Sequence, residues 1–185
     1  MKVSLYFHTI RHLRLSQIFW RLRFKYRRPL PNLLSPPSTR VVKGKWVKPC
    51  ERMQSMFTAN NFVFLNESRS IVSTGDWNDP EVEKLWLYNL HYFDDLNAEG
   101  SIDRREWHAH LIERWIDENP PGYGIGWEPY PSSLRIVNWI KWALSGGELT
   151  SRSIASLAIQ IRFLYEQLEF HLLGNHLLAN AKALI

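Results

Sequence analysis

The sequence predicts a mainly α-helical protein with a small β-hairpin region ahead of its helices. Apolar residues recur at helical spacing through much of residues 79–185, whereas strand-like alternation is confined to earlier positions. Short breaks rich in proline, glycine and serine separate the helical stretches, which are of similar length. Because short loops make consecutive helices antiparallel neighbours, we expect a series of antiparallel helical hairpins.

Composition excludes several classes of protein. Of the 185 residues, 45% are hydrophobic and 22% are charged, which is typical of a globular domain. No uninterrupted apolar run approaches the roughly 18–20 residues of a membrane span, so we expect no stable membrane insertion. The single cysteine, Cys50, excludes an internal disulfide and multi-cysteine zinc sites.

Net charge and aromatic content indicate the kind of partner. Lysine and arginine (23) exceed aspartate and glutamate (18), giving a net charge of +5, which favours polyanions such as nucleic acid, anionic lipid or acidic polysaccharide. Nine tryptophans, seven tyrosines and nine phenylalanines suit stacking on bases or sugar rings. The same rings are also ordinary material for a hydrophobic core.

Residues 1–28 form a basic N-terminal segment, in which residues 14–28 read as an amphipathic helix. Its apolar stripe consists of Leu15, Ile18, Phe19, Leu22 and Tyr26. The pattern fits a surface helix docked on its apolar side, and it also fits contact with a membrane surface or nucleic acid. Basic residues interrupt the early apolar run, and no secretory signal is visible.

Residues 29–78 read as a proline-rich linker followed by a small β region. Four prolines between positions 29 and 37 are incompatible with a helix or a central strand. Residues 41–47 and 62–65 have strand character, and residues 66–69 resemble a turn leading to a strand at 70–72.

Residues 79–185 are predicted to be helical. Asp79-Pro80 is a helix-start pattern, and Trp107, Leu111 and Trp115 define the apolar side of a helix over about 103–117. Residues 127–131 are expected to be non-helical because of their prolines. The later helices should be capped by Ser132 or Ser133, by Thr150 or Ser151, and after Gly174.

The first candidate site lies in residues 127–142. Prolines hold this loop, so Trp127 and Tyr130 could form a stacking platform beside Glu128. Arg135 and Asn138 share a helix face that could bind a sugar carboxylate or hydroxyl groups. The alternative is that the tryptophans of this segment are core residues and that Arg135 pairs with Glu128.

The second candidate site is the helix interruption at Gly174-Asn175-His176. His176 could transfer a proton near neutral pH, and Asn175 could hydrogen-bond an oxyanion. The alternative is that Gly174 ends one helix, Asn175 caps the next and His176 is a surface residue. The spacing of the histidines is unsuited to a metal site, and we expect neither a metal nor a cofactor.

Three long strings carry a resemblance to a known family. They are LWLYNLHYFDDL from Leu85, GIGWEPYPSSLRIVNWIKW from Gly124, and LEFHLLGNHLLANAKAL from Leu168. Together with the basic start RLSQIFWRLRF, they resemble the heparinase II/III-type polysaccharide lyases and related alginate lyases. The resemblance covers nearly the whole chain.

The resemblance implies an incomplete α/α toroid at residues 79–185, with inner helices lining a groove for uronate-containing polysaccharide. It implies cleavage by β-elimination, which requires the uronate carboxylate to be neutralised before the neighbouring proton can leave. Asn175 would be the neutralising residue and His176 a proton-transfer or substrate-binding partner. Trp127, Glu128, Tyr130, Arg135 and Asn138 match a family segment and are candidate groove residues.

The resemblance also implies that part of the enzyme lies beyond these residues. The family's catalytic tyrosine follows the Asn-His pair, and a β-sandwich domain follows the toroid. We therefore expect an N-terminal fragment that is inactive alone. The alternative is a non-catalytic carbohydrate-binding or exopolysaccharide-assembly protein. Nucleic acid is not an expected partner, and the compartment stays open: periplasmic or extracellular by resemblance, otherwise cytoplasmic.

Overall fold

The computed structural model describes residues 13–27, 29–41, 43–47 and 50–185. They form a mainly helical protein with a two-stranded antiparallel sheet, which confirms the predicted fold class at this level. The helices are α1 (Leu15–Tyr26), α2 (Lys84–Tyr92), α3 (Arg105–Glu118), α4 (Pro129–Leu144), α5 (Ser151–Tyr165) and α6 (Gly174–Ala183). Short 3-10 turns occupy Thr74–Asn78, Asp94–Asn97, Ser101–Arg104 and Ile125–Trp127.

The hairpin forms, but with a tighter connection than the sequence predicts. Strand β1 (Asn61–Phe64) pairs with β2 (Glu67–Ser70), with Phe64 opposite Glu67. Leu65 and Asn66 connect the strands, with φ angles of 54° and 62°. Two consecutive positive φ values match the twist of a two-residue hairpin, so the expected turn at 66–69 is wrong.

The strand expected at residues 41–47 does not form in its described part, residues 41 and 43–47. Residue 42 of that strand, and residues 1–12 and 28 of the predicted basic segment, lie outside the described residues. The linker over residues 29–41 contains neither helix nor strand in its described part, as its prolines predict.

Helix α2 starts four residues after the predicted Asp79-Pro80 signal. The Asp79 side chain accepts the backbone N–H of Glu81 (2.9 Å), which closes a turn instead of opening a helix. The helix begins at Lys84 and ends at Tyr92, and the next residue, Phe93, has a φ of 60° that reverses the chain. The capping prediction for α5 is confirmed, because the Thr150 hydroxyl accepts the backbone N–H of Ser153 (3.1 Å).

Helix α4 begins earlier than predicted, at Pro129. Pro129 and Pro131 fit the first turn because the N–H groups there need no helical partner. Ser132 and Ser133 are therefore inside the helix rather than at its cap. Their hydroxyls donate to the carbonyls of Gly126 (3.2 Å) and Pro129 (2.8 Å), respectively.

The core is built around α4, which packs against α2, α5 and α6. Many of the tryptophans are core residues, as one reading of the composition predicts. Trp77, Trp86, Trp115 and Trp139 are fully buried. Trp107 of the predicted α3 stripe is instead partly exposed, while Leu111 and Trp115 of that stripe are buried.

Helix α1 has no buried residue, and most of its predicted apolar stripe faces solvent. It contacts the rest of the protein through Trp20 and Phe24 instead. No helix among the described residues combines the length and apolar character that a membrane span requires.

Candidate ligand-binding groove

A groove of about 690 Å³ lies beside α1, α2, the start of α4 and the segment leading into α6. Its lining includes Phe24, Tyr88, Glu128, Glu169, His171 and His176. We call it the His176 groove. Its volume is that of a typical small-molecule site, and its lining combines aromatic rings with titratable groups.

His176 is held at the groove by two contacts. Its Nδ1 lies 3.0 Å from Oε1 of Glu169, and its ring packs on Tyr130 with centroids 4.4 Å apart. The His176 side chain is 31% exposed, whereas the Glu169 side chain is 7% exposed. A proton on Nδ1 donates to Glu169 and leaves Nε2 as a proton acceptor, which is the arrangement a general base needs.

Glu169 is itself fixed by α6 and α4. Its Oε2 accepts from Nδ2 of Asn180 (3.1 Å), and its backbone N–H donates to Oδ1 of the same residue (2.8 Å). Asn180 has no exposed surface and also donates to Oγ of Ser133 (2.9 Å). The carboxylate is therefore positioned by a chain of hydrogen bonds between two helices.

A second acid–base pair lines the same groove. Glu128 accepts hydrogen bonds from the Tyr88 hydroxyl and from Nζ of Lys84, the latter at 2.9 Å. Burial, together with the hydrogen bond to Glu128, raises the pKa of Tyr88. The phenol is thus a proton donor at neutral pH, with its proton directed to the carboxylate.

His171 adds a further imidazole to the groove lining. Burial lowers the pKa of His171, and the charges of Arg21 and His176 lower it further. His171 is consequently neutral at pH 7 and can accept a hydrogen bond.

Three of the predicted site residues are internal. Trp127 lines the groove but is only 3% exposed, and its indole N–H donates to the carbonyl of Asn119 (3.2 Å). Asn138 is buried and donates to the carbonyl of Tyr92 and to Oδ1 of Asp94, both at 2.8 Å. The structure therefore gives Asn138 a role in joining α4 to the end of α2.

Arg135, the third, is completely buried and does not line the groove. Its guanidinium donates to Oε1 of Gln160 (2.9 Å) and to the carbonyl of Gly126 (2.7 Å), and it lies 3.8 Å from the ring centroid of Trp115. Burial lowers the pKa of Arg135 well below its ordinary value. The ion pair of Arg135 with Glu128 that the sequence left open does not form, since Glu128 pairs with Lys84.

Asn175 is the second residue of α6 and is exposed to solvent. It does not line the groove, and its amide has no hydrogen-bond partner among the described residues. It does not cap the helix either, because Leu173 occupies the cap position. Both sequence-based readings of Asn175, an amide in a cleft and a helix cap, therefore differ from its position here.

Sequence reasoning missed Tyr88, Glu169 and His171 as lining residues. Glu169 precedes His176 by seven residues across a helix break, so no helical spacing relates them. Tyr88 lies one helical turn after Lys84 and reaches Glu128 only through tertiary packing. Its one sequence signal was its place in the LWLYNLHYFDDL string.

The described residues contain no group of three or more His, Cys, Asp or Glu side chains placed to hold a metal ion. Comparisons with protein-family models, with curated proteins and with solved structures found no match to this chain.

Proposed function

We propose that the His176 groove binds a uronate-containing acidic polysaccharide and that the chain is the N-terminal part of a polysaccharide lyase acting by β-elimination. The observation that carries the proposal is the His176–Glu169 pair at the groove, with Nδ1 and Oε1 3.0 Å apart and His176 partly exposed. A base oriented by a buried carboxylate beside a groove is what removal of a sugar proton requires. The proposal includes the arrangement of the helices of residues 79–185 as an incomplete α/α toroid.

The charges around the groove support a polyanionic ligand. Helix α1, which contributes Phe24 to the groove, carries Arg21, Arg23 and Lys25 and no acidic residue. The carboxylates in the lining are already engaged, Glu128 by Lys84 and Glu169 by its hydrogen bonds. The cations of α1 therefore give the helix that borders the groove a positive charge, which favours a carboxylated or sulfated sugar.

In the proposed reaction, Nε2 of His176 accepts the C5 proton of the uronate. The C–H electron pair becomes a C4–C5 double bond, the C4–O glycosidic bond breaks, and the departing oxygen takes up a proton from solvent water. Neutralisation of the uronate carboxylate is assigned to Asn175 by the family resemblance. Because the carboxylate is bonded to C5, the reaction requires the exposed Asn175 amide and His176 to contact the same uronate.

The exposed position of Asn175 favours a second candidate, a non-catalytic carbohydrate-binding protein. This protein would use the same groove and the same His176 contact without forming a carbanion. The two candidates differ in whether the unsaturated uronate product appears.

Binding to alginate and heparan sulfate, measured by calorimetry with dextran as the uncharged control, tests the shared part of the proposal. We expect His176→Gln to weaken binding by about tenfold, the value of one lost hydrogen bond. The matched control is His110→Gln, an exposed histidine on α3. Equal binding of dextran, or equal effects of the two variants, would contradict the groove assignment.

Ultraviolet absorbance of the unsaturated uronate separates the lyase from the binding protein. The resemblance predicts no product from these residues alone. In a longer form that yields product, Asn175→Ala should abolish turnover and leave affinity intact. Absence of product from every form, with binding retained, would support the non-catalytic candidate.

A further inference from the structure

Helix α1 docks on the protein through one side. Trp20 packs on Phe170 with ring centroids 4.7 Å apart, and Phe24 packs on His171 at 4.6 Å. Nη2 of Arg27 forms an ion pair with Glu166 at 2.8 Å. Since Trp20, Phe24 and the capping residue Arg27 lie three to seven residues apart, they define one face of the helix.

The opposite face of α1 carries large apolar side chains that face solvent. Leu15 is 84% exposed, Phe19 60%, Leu22 52% and Tyr26 75%. Their spacing of three, four and seven residues makes a continuous apolar stripe. A continuous exposed stripe of four large apolar side chains is typical of an interaction surface.

Cations border this stripe. Arg14, Arg21 and Lys25 are exposed and fall on one side of it, and Arg23 falls on the other. The helix contains no acidic residue. An apolar stripe flanked by Lys and Arg is the pattern of helices that lie in the plane of a lipid surface.

We propose that α1 binds the surface of an anionic lipid bilayer, with its apolar stripe in the boundary between headgroups and acyl chains and with Arg21 and Lys25 against lipid phosphates. A second copy of the chain is a poorer occupant, because it would set one basic helix against another. Nucleic acid would pair with the cations but would leave the apolar stripe in water.

The apolar stripe is separate from the groove, although Arg21 and Lys25 are among the cations of α1 that also favour a polyanion there. Phe24, on the docked side of α1, lines the His176 groove, so the lipid-facing stripe lies on the other side of the helix. Bilayer binding at the stripe therefore does not require the groove to close.

Co-sedimentation with vesicles tests the proposal. We expect binding to vesicles of phosphatidylcholine and phosphatidylglycerol, at about three to one, and at least about tenfold weaker binding to phosphatidylcholine alone. The double variant Phe19→Ser/Leu22→Ser should lose about tenfold or more in partitioning. Its matched control is Leu33→Ser/Leu34→Ser, which removes two exposed apolar side chains outside α1.

A second variant tests the cations. Arg21→Gln/Lys25→Gln should weaken binding by about fivefold per charge, and added salt should reduce that difference. Lys43→Gln/Lys45→Gln, which removes two exposed lysines elsewhere, should have less effect. All substituted side chains are exposed, so circular dichroism should show folded proteins.

Four results would overturn the proposal. One is equal binding to neutral and anionic vesicles, and another is full binding by the Phe19→Ser/Leu22→Ser variant. A third is a wild-type protein that does not bind vesicles but self-associates with rising concentration, when the Phe19→Ser/Leu22→Ser variant does not self-associate. The fourth is salt-dependent DNA binding through Arg21 and Lys25 with no vesicle binding.

Discussion

Two carboxylate–histidine pairs in this protein have nearly the same oxygen–nitrogen distance and very different surroundings. Oδ2 of Asp95 lies 2.8 Å from Nε2 of His108, and Oε1 of Glu169 lies 3.0 Å from Nδ1 of His176. His108 has no exposed surface, whereas the His176 side chain is 31% exposed. A carboxylate–histidine pair is therefore not enough to identify a candidate binding site. The two pairs differ in whether solvent reaches the histidine.

The donors around the two carboxylates also differ. Asp95 accepts from Nε of Arg104 (3.0 Å) and from the backbone N–H groups of Ser55 (2.7 Å) and Met56 (2.9 Å). It therefore joins α3 to the chain segment ahead of the hairpin. Among the described residues, Glu169 has no arginine partner and is held by the amide of Asn180 instead. In both pairs one ring nitrogen has no hydrogen-bond partner in the part of the chain that the structure describes, but His108 is buried whereas the His176 side chain is partly exposed at the groove.

Neutralising each carboxylate gives the largest expected difference between the pairs. Asp95→Asn should lower the free energy of unfolding by about 3–5 kcal/mol, because it leaves the buried Arg104 charge without its partner. Glu169→Gln should cost about 1 kcal/mol, since its partners are neutral or partly solvated. Urea unfolding measures both, and equal losses would remove the distinction between crosslink and site.

Acid should erase part of the stabilisation by Asp95. Burial alone would raise the pKa of Asp95, but hydrogen bonds from His108, Ser55 and Arg104 outweigh it and lower the pKa to about 2. A carboxyl group with a depressed folded-state pKa stabilises the fold above its unfolded-state pKa near 3.8. That contribution, about 2 kcal/mol, is lost as the pH falls from about 4 to about 2.

The measurement is the difference in unfolding free energy between wild type and Asp95→Asn across this pH range. The difference should shrink as the pH falls, because protonation turns Asp95 into a neutral group like asparagine. Buried His91, whose pKa burial lowers to about 3, also destabilises the protein in acid, but it does so in both proteins. A difference that stays constant down to pH 2 would contradict the assigned pKa.

Only part of what depends on local pattern is predicted correctly. The helical character of residues 79–185 and the Thr150 cap appear in the structure, whereas the residues of the predicted turn at 66–69 belong largely to β2 and Asp79-Pro80 closes a turn instead of starting a helix. The spacing of apolar residues does not determine which face of α1 docks on the protein. Trp20 and Phe24 form a second apolar face, opposite the predicted stripe, and this second face makes the contact. Which face docks depends on the shape of the partner surface around Phe170.

The same limit applies to the site. His176 was recognisable from its position after a helix break, but its partner Glu169 was not, since only the folded loop brings them together. Arg135 was a groove candidate because it shares a predicted helix face with Asn138 and offers a forked pair of donors to a carboxylate, with a structural role as the alternative. Its burial depends on the Gly126 carbonyl and the Trp115 ring, which lie on other elements.

The smallest expected effect concerns how each histidine is held in place. His108 is fixed by complete burial, whereas His176 relies on the Tyr130 ring, 4.4 Å from its own. Tyr130→Leu should therefore increase the motion of the His176 ring in NMR relaxation and weaken polysaccharide binding by roughly threefold, the value of one aromatic contact. Tyr123→Leu, an exposed tyrosine before α4, is the control. Because Tyr130 touches His176 and not His108, unchanged His176 dynamics in Tyr130→Leu would mean that Glu169 alone orients the imidazole.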